Sequence, residues 1–249
     1  MPRAKRLRVF AGPNGSGKST LYKQISSQFN TGYFVNSDEI EQEISKAGFI
    51  NLSRFGLKLT QEDLDQFFGR DQSITLLEKA EASGHPISIA IRENMIVDKS
   101  KDTHSYEASL ITSFIRYHLL ENDISYSFET VMSHPSKLGE IEEASERKFR
   151  TYLYFVCLDD PLINISRVEI RKEKGGHGVP QDKIVDRYYR TLSNLLPAIK
   201  ACEKAYLFDN SGETMVLIAE VLHGAITILL PENKLPNWFI EYVVNKINE

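Results

Sequence analysis

Two cysteines in 249 residues leave no material for a disulfide framework. Cys157 stands in the apolar run Leu153 to Leu158, where a thiol reads as a small buried hydrophobe, and this usage fits a reducing cytoplasm. Charge of one sign is lacking too: 30 Lys and Arg against 34 Asp and Glu give a net charge of −4. That excludes a general nucleic-acid coat and confines phosphate binding to local basic clusters. Apolar runs long enough to span a bilayer are absent, and the basic start from Pro2 to Arg8 leads straight into a strand without the apolar stretch of a signal peptide. The cluster Arg3, Lys5, Arg6 and Arg8 therefore reads first as a solvated strand entrance, with RNA or lipid contact as the alternative. Internal repeats, low-complexity segments and splitting linkers are missing as well. What is there, 41% hydrophobic and 26% charged residues, is ordinary globular composition.

The chain is organised around Gly12-Pro13-Asn14-Gly15-Ser16-Gly17-Lys18-Ser19, followed by Thr20. An apolar run, Leu7 to Ala11, precedes it and a helical stretch, Lys18 to Phe29, follows. This is a phosphate-binding P-loop with its strand and helix in place. Glycine is required where successive backbone N–H groups turn inward around phosphate oxygens. Lys18 is expected to reach the β- and γ-phosphates and the Ser19 hydroxyl to ligate Mg²⁺, with the positive end of the helix dipole at the same point.

Tyr33 to Asn36 reads as a second strand, and Ser37 or Asp38 as the cap of the next helix, Glu41 completing a capping box. Strand, helix and strand predict an α/β fold with a parallel sheet. The stretch 46–105 reads as an inserted, mainly helical segment, with helices at Gln61 to Phe68 (Thr60 as cap) and Asp71 to Ala82; Ile87 to Ile91 is strand or buried helix. From Tyr106 to Glu121 the positions Ile111, Phe114, Ile115, His118 and Leu119 share one helical face, so His118 reads as a packed core histidine. Strands are expected at Ile124 to Phe128, Thr151 to Leu158 and Ala205 to Phe208, with Met215 to Ile228 finishing the sheet. Asp160 is placed to cap a helix whose first residue is Pro161. That helix, the glycine-rich break around 174–182 and a second helix from Asp182 to about Lys204 form a hairpin with a mobile tip, and a last helix runs from Trp238 to Ile247.

Ligands of parallel α/β sheets bind beyond the carboxyl ends of the strands. The residues there are Lys18, Ser19, Asp38, Glu129, Thr130, Asp159 and Asp209 to Ser211. Asp38 can accept a hydroxyl proton for in-line attack on a γ-phosphate, or merely cap its helix. Glu129 can hold Mg²⁺ through water or bind an acceptor's hydroxyls. Arg167 and Arg171 lie four apart, Arg187 and Arg190 three apart, on the two arms of the hairpin. Such pairs can grip a triphosphate as a closing lid that excludes water, or can pair with Glu169, Glu173 and Asp186 on solvated faces. His177, at the tip, can donate to a phosphate or stabilise the turn.

Taken in order, Gly12 to Thr20, Asn36-Ser37-Asp38-Glu39-Ile40, Phe128-Glu129-Thr130-Val131, Arg167 through Gly175-Gly176-His177-Gly178-Val179-Pro180 to Arg187-Tyr188, and Phe208-Asp209-Asn210-Ser211 resemble the zeta-toxin family of P-loop kinases. The resemblance covers most of the chain outside the segment from about Ala47 to Thr103. It implies one P-loop kinase domain over 1–249, adenylate-kinase-like, with helices on both faces of the sheet, an inserted segment and a lid, using ATP and Mg²⁺. Characterised members phosphorylate the sugar of UDP-N-acetylglucosamine, and many are held inactive by a small antitoxin protein. Carried over, Lys18 and Ser19 match the phosphate and Mg²⁺ positions, Asp38 the catalytic aspartate, Glu129 (with Thr130) a substrate-side acid, and Arg167 with Arg171 the phosphate-binding arginines; Arg187 and Asn210 join the nucleotide side. Two features depart from the family pattern, Thr130-Val131-Met132-Ser133 after Glu129 and the Gly-Gly-His-Gly-Val-Pro lid. The acceptor thus stays open among a UDP-amino sugar, another small molecule such as an antibiotic, and a polynucleotide end, against which the acidic net charge tells. From another class, an ATP-hydrolysing switch with a protein partner would carry an apolar strand ending in Asp-Glu, and no such run appears.

Overall fold

The structure, a computed structural model, describes residues 4–100, 104–175 and 178–247. In chain order its elements are β1 (Arg6–Ala11), α1 (Lys18–Gln28), β2 (Tyr33–Val35), α2 (Ser37–Ala47), β3 (Phe49–Asn51), α3 (Gln61–Phe68), α4 (Asp71–Ala82), β4 (Ile89–Arg92), β5 (Met95–Asp98), α5 (Ser105–Glu121), β6 (Tyr126–Thr130), α6 (Ser136–Glu146), β7 (Arg150–Cys157), α7 (Pro161–Glu173), α8 (Gln181–Ser193), α9 (Leu195–Ala201), β8 (Lys204–Asp209), β9 (Val216–Leu222) and β10 (Ala225–Ile228), followed by a helical segment over 237–247. They gather into two compact units, one of the residues up to Gly32 and from Ser127 onward, the other Tyr33–Tyr126.

The first unit is built on the strand order β10-β9-β8-β7-β1-β6. Its centre is parallel, Leu7 opposite Thr151 and Leu153 opposite Ala205, while β8, β9 and β10 run antiparallel. The β-branched and aromatic run of β7 suits a strand covered on both faces, and Leu153, Phe155, Val156 and Cys157 are fully buried beside Leu7, Val9 and Phe10. On one face α1 lays Tyr22 edge-on against Phe10, whose ring stacks on Tyr154 at 4.8 Å. Burial pushes the Cys157 and Tyr188 groups up and holds the Cys202 thiol at about 12, so neither thiol is a nucleophile near neutral pH.

Asp160 caps α7 as expected, accepting from the Leu162 N–H with Pro161 in the first turn. The helix expected from Asp182 to Lys204 is instead two, α8 and α9, divided at Asn194. Pro197 explains the break: it lacks the N–H that would bond the Ser193 carbonyl, and its ring crowds that carbonyl. The strand expected to end at Phe128 runs on to Thr130, so Glu129 and Thr130 are its last residues rather than the loop beyond.

In the second unit α3 and α4 fall where the sequence places them, and Thr60 forms a capping box with Asp63. The inserted segment is not simply helical, however, since it also holds an antiparallel sheet of order β3-β5-β4. A two-residue turn joins β4 to β5 with both Glu93 (φ 49°) and Asn94 (φ 63°) left-handed. Asn94 stays there because its amide donates to Ser53 Oγ and the Leu57 carbonyl and accepts from the Leu59 N–H. His118 is packed edge-on against Phe114 and Tyr117, and burial pushes its pKa down. The cap of α2 is Asn36, whose side-chain Oδ1 accepts from the N–H groups of Asp38 and Glu39; neither Ser37 nor Asp38 performs that task.

Candidate active site

The loop between β1 and α1 turns through three left-handed glycines, Gly12 (φ 145°), Gly15 (φ 74°) and Gly17 (φ 108°). The surroundings forbid a side chain at each. A Cβ on Gly12 would lie 2.0 Å from the Val156 carbonyl oxygen, one on Gly15 2.9 Å from that of Asn164, and one on Gly17 2.6 Å from Asn210 Nδ2. No side chain caps α1, so its first-turn N–H groups face the loop cavity. Inside the loop Ser16 Oγ and Asn14 Oδ1 are buried and have no hydrogen-bond partner among the described residues. Lys18 folds over the loop, its ammonium donating to the Gly12 and Pro13 carbonyls at 2.9 Å each. Open amides, the unpartnered Ser16 hydroxyl and the Lys18 ammonium suit a phosphate chain. Thr20, expected to join this set, is an exposed residue of the first turn of α1.

Three side chains from elsewhere fix the loop. Asn164, fully buried on α7, donates to the Asn14 carbonyl at 2.5 Å. Asn210, just after β8, donates to the Ser16 carbonyl at 2.8 Å, and half-buried Arg167 donates to the Asn210 carbonyl at 2.9 Å. The sequence places Arg167 and Asn210 near phosphate and nucleotide; in the structure Asn210 bonds the P-loop backbone and Arg167 bonds the backbone of Asn210. Asn164 was not anticipated. Its only signal is a polar residue on the buried face of α7, one turn before Val168.

On the other flank, Ser19 Oγ donates to Glu129 Oε2 at 2.9 Å, joining residues 110 positions apart. The expected metal hydroxyl and the expected acid thus lie together. The Oγ1 of Thr130, the neighbouring residue, accepts from the Met132 N–H at 2.9 Å, which leaves its hydroxyl proton to donate. Among the described residues no group of three or more His, Cys, Asp or Glu is gathered for a metal. Mg²⁺ in phosphoryl-transfer sites takes one or two protein ligands, the rest being phosphate oxygens and water, and the Ser19–Glu129 pair fits that demand.

The strand-end carboxylates Asp159 and Asp209 serve the scaffold. Asp159 accepts from Asn237 Nδ2 and the Trp238 N–H, and Asp209 from Trp238 Nε1 and Ser211. Of the lid arms, Arg171 is exposed, Arg187 half-buried, and Arg190 forms an ion pair with Asp186 one turn away, the solvated-face alternative for that residue. Gln181 bridges to Glu169 across the hairpin. His177 and Gly176 lie outside the described residues. Asp38, in the second unit, is exposed, and its carboxylate has no hydrogen bond or ion pair among the described residues; its backbone N–H is the group that Asn36 caps.

No family model and no curated protein matches the sequence. Solved structures do. A chain of the AvrRxo1-ORF1:AvrRxo1-ORF2 complex with sulphate ions superposes with a TM-score of 0.57 at 15% identity, over 92% of this chain and 62% of that one. A crystal structure of the same pair with ATP gives 0.51 at 14% identity, over 92% and 61%. This chain therefore spans little more than three fifths of those chains, 62% and 61%. A structure from the PezAT chromosomal toxin-antitoxin system of Streptococcus pneumoniae gives 0.47 at 10% identity, over 87% and 71%. At these identities the likeness is one of fold, a mixed α/β architecture with a mostly parallel sheet. No described helix is long and apolar enough to cross a membrane.

Proposed function

We propose that this chain, with the fold of a P-loop kinase and motifs resembling the zeta-toxin family, transfers the γ-phosphoryl group of ATP to a hydroxyl of a small molecule. The observation that carries the reading is the 2.9 Å bond between Ser19 of the P-loop and Glu129. A glycine turn that merely linked strand to helix would need neither a hydroxyl nor a carboxylate there. Mg²⁺·ATP, when bound, supplies the electrophilic phosphorus and a cation that draws charge from it.

The residues of the chain do the rest. N–H groups of Gly15 to Ser19 hold the β-phosphate region, and the Lys18 ammonium leaves the Gly12 and Pro13 carbonyls for phosphate oxygens. Ser19 Oγ and Glu129 are the residues that would hold the metal. Asn210 and Arg167 keep the nucleotide side of the loop in place, while Arg171 and Arg187 close over the transferred group and exclude water. Asp38 takes the acceptor's hydroxyl proton as that oxygen bonds to phosphorus and the β–γ bridging oxygen departs with ADP. With its backbone N–H capped by Asn36, its carboxylate is left for this task. A UDP-activated amino sugar is the acceptor the resemblance suggests, and the cytoplasm is the compartment that the two unpaired cysteines suit. A protein partner acting as antitoxin is part of the proposal, supported by the two-protein complexes of the AvrRxo1 structures.

A metabolite extract incubated with ATP, Mg²⁺ and the protein, read by mass spectrometry, tests this. Phosphorylated small molecules that vanish with Asp38→Asn are expected. Free phosphate with no phosphorylated product would overturn the kinase reading in favour of a hydrolysing switch, and phosphorylated oligonucleotide ends in favour of a polynucleotide kinase.

A further inference from the structure

Glu129 lies at the end of β6, and the turn beyond it is held unusually tightly. Met132 has a left-handed backbone (φ 60°), a conformation uncommon outside glycine, yet its side chain is buried. Its N–H is taken by Thr130 Oγ1 at 2.9 Å. Both carbonyls of the turn are taken from α8 and its end: Thr191 Oγ1 lies 2.8 Å from the Val131 oxygen, and Asn194 Nδ2 donates to the Met132 oxygen at 2.9 Å. Thr191 is completely buried, and its single hydroxyl proton is shared with the Arg187 carbonyl, 2.6 Å away. Thr191 lies one turn beyond Arg187 on the same helix, hence on its face, and Asn194 a further turn on. The lid arm that carries Arg187 is thus bolted at its base to the loop that leaves the strand end where Glu129 touches Ser19.

Resting on the reading of Glu129 as the metal-side carboxylate, we infer that Thr191 and Asn194 are positioning residues: from the lid arm they fix the 131–132 turn, and through it the carboxylate against Ser19. Metal affinity in the nucleotide complex then depends on α8, though no residue of α8 touches the metal.

The test is the factor by which Mg²⁺ strengthens binding of a nonhydrolysable ATP analogue, measured by calorimetry on the full chain, and it needs no acceptor. Thr191→Val keeps the shape and removes the donor to the Val131 carbonyl, so this factor is expected to fall toward the Glu129→Gln value. Metal-free analogue affinity is expected to stay at the wild-type value, and Thr191→Ser to restore the factor. Glu129→Gln should lower the factor itself, and the double variant Thr191→Val/Glu129→Gln should lower it no further. If Glu129→Gln lowers the factor while Thr191→Val leaves it unchanged, the positioning role is overturned and the metal role stands. If Glu129→Gln leaves it unchanged, the metal role itself falls and the inference with it. Should Thr191→Val not fold, Asn194→Ala asks the same question of the second bond, and a wild-type factor in that variant overturns the inference.

Discussion

The P-loop strand β1 has β6 on one side and β7, then β8, on the other, and the carboxylates at the ends of these strands have opposite uses. On the β6 side Glu129 receives the hydroxyl of Ser19, inside the phosphate loop's own helix. On the far side Asp159 and Asp209 receive the backbone N–H and indole of Trp238, and the loop is held there by neutral amides, Asn164 and Asn210, through its carbonyls. Position beyond a strand is therefore not what makes a carboxylate chemical. Their donors differ: Asp159 and Asp209 accept from fixed N–H groups and from the Ser211 hydroxyl, whereas Glu129 accepts from the hydroxyl that the proposal assigns to the metal.

Lys18→Ala sets the scale for that contrast. It should lower phosphoryl transfer by about 10²- to 10³-fold, the loss typical of a group that meets developing charge, while the midpoint of thermal unfolding stays in place. ATP consumption beside a melting curve checks both halves. Asp38→Asn comes next: analogue affinity should be retained and turnover reduced about 10²-fold, since the amide cannot take a proton. A drop in stability with turnover intact would instead make Asp38 a capping residue, contrary to the cap seen at Asn36.

Glu129→Gln and Asp209→Asn break the comparison directly. The first should weaken Mg²⁺-dependent nucleotide binding about tenfold with unchanged stability. The second should destabilise by about 1.5–3 kcal/mol, the worth of hydrogen bonds to a charged group, and leave magnesium dependence at the wild-type value. Trp238, the sole tryptophan, reports that release by its fluorescence. Equal effects of the two variants on magnesium would erase the distinction between the flanks. At the small end, Arg190→Ala removes an exposed ion pair with Asp186 and should cost no more than about 0.5 kcal/mol, with nucleotide affinity unchanged.

Features that are local in sequence were legible. The P-loop is contiguous, so its glycines, lysine and serine declare themselves together, as do the Asp160 cap before Pro161 and the Thr60–Asp63 capping box. The break at Asn194 was legible in principle from Pro197, but the amphipathic period runs through it and masks it. The β4–β5 hairpin was not, because Glu93 is no left-handed residue by preference; Asn94 is held by Ser53, Leu57 and Leu59, roughly forty positions upstream.

By itself the sequence determined that this chain builds a strand, a turn through Gly12, Gly15 and Gly17, and a helix, because short-range turn geometry and residue type suffice for it. Only the tertiary structure decided that Glu129 meets Ser19, that Asn164 and Asn210 clamp the loop backbone, and that Asp159 and Asp209 belong to the scaffold. Each of those pairings joins residues about 30 to 190 positions apart, and such pairings are selected by which strands lie beside one another and which donors arrive there.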